Sequence, residues 1–158
     1  MTRIQIASFV RIDGEFRPVS EAGRHDGECE YLPGAISLTV DGVELLGTEL
    51  WDDVNWLWPF VVQAVRECRE SGSGTRHFPD QPITFKAEKA QWGENVMLTV
   101  TTADRSIHRT AIAPEAEVYE TVARAGAEFF KHLRRLCGSD AVSEEEEAAV
   151  ISWLAGER

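Results

Sequence analysis

From Arg3 to Ile12 polar and apolar residues alternate, which places Ile4, Ile6, Val10 and Ile12 on one face with Ser8 as the one break. Period two predicts a half-buried strand. From Asp13 to Pro33 the pattern is lost. That stretch is charged and glycine-containing, and reads as a polar loop longer than an ordinary connection. Alternation returns in Ile36–Val40 and continues in Val43–Leu46 across Asp41-Gly42. This dipeptide supplies the positive φ angles of a two-residue turn, so the segment predicts a β-hairpin.

The period then lengthens. From about Asp52 to Glu70, Trp51, Val54, Asn55, Trp58, Val61, Val62 and Val65 fall on one side at helical spacing. Pro59 lies inside this run and removes one intrahelical bond. The helix therefore either kinks there or begins near Trp58 after a short turn. Ser71-Gly72-Ser73-Gly74 ends it and opens a connection over 71–80.

Three further strands follow, Ile83–Ala90, Asn95–Thr102 and Ser106–Ile112, with turns at Trp92-Gly93-Glu94 and Ala103-Asp104-Arg105. Pro114 suits the first position of a long helix that stops before Gly138. Its apolar stripe is Val118, Val122, Ala125, Phe129, Leu133 and Leu136. Ser143-Glu144-Glu145-Glu146 reads as a capping box, opening a short helix with Ile151 and Leu154 inward. The order βββα then βββαα predicts one α+β domain over residues 1–158. We expect a single antiparallel sheet of about six strands with helices mainly on one face.

Composition narrows the classes of function. A chain that is 43% hydrophobic and 27% charged has the make-up of a globular protein. No stretch approaches the apolar length of a membrane span, and Met1–Asp13 lacks the apolar block of a signal peptide, so a cytoplasmic protein is expected. The net charge of −11 repels polyanions, which argues against nucleic acid or a membrane as partner and suits a basic protein. The basic run Lys131–Arg135 is explained by the negative end of its helix.

Candidate chemistry is sparse. No phosphate loop, zinc-protease or nucleophile-elbow motif is present, so no catalytic residue and no cofactor is assigned. Cys29, Cys68 and Cys137 are odd in number and widely spaced, which argues against a disulfide framework or zinc knuckle. Cys68 and Cys137 read as buried apolar residues. Arg24-His25-Asp26-Gly27-Glu28-Cys29-Glu30 collects imidazole, carboxylate and thiol but matches no metal-ligand spacing, so it reads as a solvated loop and no metal site is assigned. His108 alternates with Thr110 and Ile112 and is expected to point inward. Glu144–Glu147 reads as a helix start with a solvated face.

One cluster stands out. Trp51, Trp56, Trp58 and Phe60 fall within ten residues. On a continuous helix Trp56 and Phe60 lie nearly opposite the valine stripe, with Asp52 one turn before Trp56. Two placements are open: burial between the sheet and the C-terminal helices, or an acid-edged surface patch of Asp52, Asp53, Trp56 and Phe60. The favoured reading is a small acidic binding module (an inhibitor, immunity-type or adaptor protein) docking a basic partner through that patch. Two alternatives stand beside it. One is an enzyme or small-molecule binder with a pocket between sheet and helices, using His25, His108 and loop carboxylates. The other is a homodimeric accessory protein without catalytic activity.

Overall fold

The computed structural model describes residues 3–25, 27–91 and 93–156. The chain is α+β, as its pattern predicts, but its strands form two antiparallel sheets rather than one. The first runs β2 (Glu15–Pro18), β1 (Ile4–Ile12), β3 (Pro33–Val40), β4 (Val43–Leu46), with the two-residue β5 (Asp52–Asp53) also paired to β3. The second is the meander β6 (Ser73–His77), β7 (Ile83–Lys89), β8 (Asn95–Thr102), β9 (His108–Pro114). The helices are α1 (Val54–Ser71), α2 (Glu115–Cys137) and α3 (Glu144–Leu154).

Two strands fall in stretches read as connections. β2 follows Asp13-Gly14, whose φ values of 52° and 80° match the 49° and 81° of Asp41-Gly42. Both dipeptides make the same kind of turn; only the second is followed by apolar alternation, whereas Glu15–Pro18 is a polar edge strand. β6 is made of Ser-Gly-Thr-Arg-His and owes its place to its neighbours. Gly74 comes so close to α1 that a Cβ there would lie 2.0 Å from the Ala64 carbonyl oxygen. Only a residue without a side chain admits that approach. The expected turn residue Trp92 lies outside the described residues.

The helix α1 runs unbroken through Pro59, with Asp53 at its N-cap and Asp52 off the helix in β5. It packs against both sheets and both other helices. In its second turn Trp58 is fully buried and stacks on Phe129 of α2 with ring centroids 5.9 Å apart. Gly126 makes room for this ring, since a Cβ there would meet Trp58 at 3.2 Å. The Trp58 Nε1–H donates to Ser8 Oγ (2.9 Å), which explains the one polar residue on the inner face of β1. An indole N–H buried without a partner would be costly, and Ser8 removes that cost.

On β8, Val96, Leu98 and Val100 are buried and the residues between them are half-exposed, so one face of the meander carries the core. In α2 the expected stripe is buried apart from Ala125, which is partly exposed. In α3 the expectation reverses. Ile151 and Leu154 are 53% and 44% exposed, and Val150 and Glu146 face inward instead. Apolar periodicity misplaces this helix because one of its inward positions is a carboxylate.

The cysteine reading is also corrected. Cys29 and Cys137 form a disulfide across 108 residues, tying the loop before β3 to the end of α2, while Cys68 is the buried free thiol. Linear spacing could not show that the two meet, since the bond depends on where α2 ends in space. Among the described residues no helix is long and apolar enough to cross a membrane.

Candidate functional site

Trp56 and Phe60 lie one turn apart on α1, on the side away from Trp58, and both line a surface groove of 560 Å³. Asn55, Pro59 and Gln63 of the same helix form its floor together with Glu146 of α3. Cys29, Glu30, Cys137 and the segment Asp140–Ser143 complete the lining, so the disulfide is part of the wall.

Each element is held by specific bonds. The buried Asn55 side chain accepts from the Leu32 amide (2.9 Å) and donates to the carbonyls of Cys29 (3.1 Å) and Glu30 (2.9 Å). Trp56 Nε1–H donates to the same Glu30 carbonyl (2.7 Å), which fixes the indole while leaving the residue 44% exposed. At the floor Glu146 is only 4% exposed. It accepts from Gln63 Nε2 (2.7 Å) and from Ser143 Oγ (2.9 Å). Gln63 Oε1 in turn accepts from Arg76 Nε (3.0 Å), and Arg76 also pairs with Glu67. A buried carboxylate is tolerable only with such partners. The expected capping box is thus spent on a side chain, with the Ser143 hydroxyl meeting the Glu146 carboxylate rather than an amide of α3.

Of the four residues expected to form a binding patch, the fold brings Trp56 and Phe60 together and places the two aspartates elsewhere. Asp52 is 2% exposed. Its carboxylate accepts from the amides of Asp53 (2.7 Å), Asp80 (3.1 Å) and Gln81 (2.8 Å), so it clamps the 78–82 loop onto the start of α1. Asp53 sits beside it, and burial, then the charges of Asp52 and Asp80, raise its carboxyl above the usual aspartate range. The acids that do line the groove are Glu30, Asp140 and Glu146. Glu146 belongs to the acidic run read as a solvated face, and its buried role had no signal in the sequence beyond its place three residues after Ser143.

The histidines do not converge. His25 lines a separate cavity of 350 Å³, and Asp26 beside it lies outside the described residues. His108 is exposed rather than inward, with Nδ1 2.9 Å from Thr101 Oγ1. Burial pushes the Cys68 thiol up, away from the thiolate that nucleophilic chemistry needs. Comparison with protein families, characterised proteins and solved structures finds no match to this chain.

Proposed function

We propose that the chain is a protein-binding module that takes a basic segment of its partner into the Trp56–Phe60 groove. One observation carries this reading. The lining holds two aromatic rings and three acidic residues, and among the described residues no lysine or arginine. A Lys or Arg side chain entering there gains ring contacts of about 0.5–2 kcal/mol each. It also gains the attraction of Glu30 and Asp140 at the exposed rim. The net charge of −11 adds long-range attraction for a basic partner. On this reading the chain is a small acidic module of the inhibitor, immunity or adaptor kind.

The cytoplasmic location expected from the sequence accords less well with this groove than an oxidising compartment does. The Cys29–Cys137 bond forms one of its walls, and such bonds persist where thiols are not kept reduced.

Selection of random displayed peptides on the oxidised protein tests the proposal. Enriched peptides are expected to carry a Lys or Arg next to an apolar residue, to lose affinity with rising salt, and to bind folded Trp56→Ala at least about tenfold more weakly. Enrichment without a cation, or equal binding to Trp56→Ala, refutes it.

A further inference from the structure

A different part of the molecule, independent of the groove above, presents an open sheet edge. β1 is paired along only half of its outer side. Phe9–Ile12 bond to β2, which stops at Pro18 opposite Phe9, so among the described residues Ile4–Ser8 have β3 on one side and no strand on the other. The register says which backbone groups face the gap. The two-residue turn makes Ile12 and Glu15 an exchanged pair, so even-numbered residues of β1 direct their N–H and C=O away from β3. The Arg3 carbonyl, accepting from the Asp41 amide at 2.9 Å, shows the odd-numbered set turned toward β3. Ile4, Ile6 and Ser8 therefore each offer an amide and a carbonyl to the open side.

Exposed edges are ordinarily shielded by charge, proline, a bulge or a covering element. Ile4-Gln5-Ile6-Ala7-Ser8 has no charge and no proline. Beside it runs a groove of 740 Å³ bordered by α2, chiefly Thr121, Arg124, Ala125 and Glu128. A further strand needs to lie about 4.8 Å from β1, on the side where this groove runs between Ile4–Ser8 and α2.

We infer that the edge is an interface with a second copy of this chain, β1 pairing antiparallel with its counterpart about a two-fold axis at Ile6. Self-complementarity favours a second copy over a foreign peptide. A two-fold at Ile6 sets Ile4 of each copy opposite Ser8 of the other, and all of these residues turn their free amides and carbonyls to the junction. The helical wall obeys the same symmetry. Arg124 and Glu128 are exposed on either side of Gly126, where Arg124 pairs with Glu120 and Glu128 lies 3.6 Å from His132. An antiparallel second α2 would bring each Arg124 against the other copy's Glu128 in addition to these surface pairs. Thr121 and Ala125 are small enough to let the helices approach.

The test is sedimentation equilibrium of the full chain, with hydrogen exchange read at Ile4, Ile6 and Ser8. The expected mass is twice 17.7 kDa, with those three amides slowed on association. Arg124→Glu and Glu128→Arg change exposed positions of α2, and an unchanged thermal midpoint checks that each variant is folded. Each alone is expected to raise the dissociation constant about tenfold, and the two together to restore it. A mass of 17.7 kDa from micromolar to millimolar concentration overturns the inference. So does a dimer that leaves these amides fast, or one that ignores both charge reversals. Slowing that appears only on adding an extended peptide would give the edge to another occupant and likewise overturn it.

Discussion

The meander β7–β9 and the segment from Val19 to Leu32 are held in place by opposite means. In the meander, every residue of β8 from Asn95 to Thr102 is registered against a neighbouring strand, and the turns close on themselves. Among the described residues the 19–32 segment has no strand partner. Two backbone bonds hold it, from the His25 amide to the Leu136 carbonyl (3.0 Å) and from the Val54 amide to the Leu32 carbonyl (2.8 Å). The others come from side chains at distant positions: Asn55 at Leu32, Cys29 and Glu30, Trp56 at Glu30, and Arg135 at Ala22 (2.6 Å) and Val19 (2.9 Å). The Cys29–Cys137 bond completes the attachment. A ladder spreads its stabilisation over many equivalent bonds, whereas a captured segment concentrates it in a few residues. The groove with Trp56 is built on the second kind of support, so its shape depends on single side chains.

The strongest way to break the comparison is to remove the cross-link. Closing a loop across 108 residues restricts the unfolded chain, and Cys29→Ser with Cys137→Ser is expected to lower stability by about 4–5 kcal/mol in denaturant titration. A loss below about 1 kcal/mol would mean that the side-chain bonds alone hold the segment.

Next comes Asn55→Ala. It strands the Leu32 amide and the Cys29 carbonyl and leaves the Glu30 carbonyl with Trp56 alone, and a loss of about 3 kcal/mol is expected. Thr99→Ala, a half-exposed change in the centre of the meander, should cost under about 1 kcal/mol. Equal losses in the two variants would erase the distinction between the regions.

The smallest effects are electrostatic and opposite in sign. Asp104, in the β8–β9 turn, is held below the usual aspartate range first by the Ser106 amide, then by the Ser106 and Thr102 hydroxyls. Its ionised form is favoured in the folded state, so its contribution is present above the unfolded pKa and lost as pH falls through the folded one. Asp53, beside the Asp52 clamp, is raised, so its ionised form costs stability at neutral pH and the cost disappears once it is protonated in both states. Asp104→Ala should therefore lower, and Asp53→Asn raise, the thermal midpoint at pH 7. The Asp53 difference should shrink as pH falls toward the ordinary aspartate pKa of about 3.9, and the Asp104 difference only below it. Shifts of the same sign would show that charge is not what separates the two sites.

Much of this fold is legible along the chain. The alternation in β1, β3 and β8, the Asp-Gly hairpin turn and the apolar stripe of α2 each come from residues a few positions apart. The same reasoning brought out Trp56 and Phe60, because helical spacing sets them opposite Trp58. It put Asp52 on the wrong side of the helix boundary, where two amides of the 78–82 loop, rather than solvent, meet its carboxylate. It missed β6, whose serine and glycine residues have little strand preference and pair because β7 and α1 are there to receive them.

By itself, then, the sequence determined the helices and the apolar strands, the charge and the aromatic face of α1, since these follow from short-range spacing and from sums over residues. Tertiary structure alone decided which polar atoms meet. Ser8 finds Trp58 at a separation of 50 residues, Gln63 finds Glu146 at 83, and Cys29 finds Cys137 at 108. Periodicity carries no record of such meetings, because a polar side chain has the same appearance in the chain whether water or a distant partner will satisfy it.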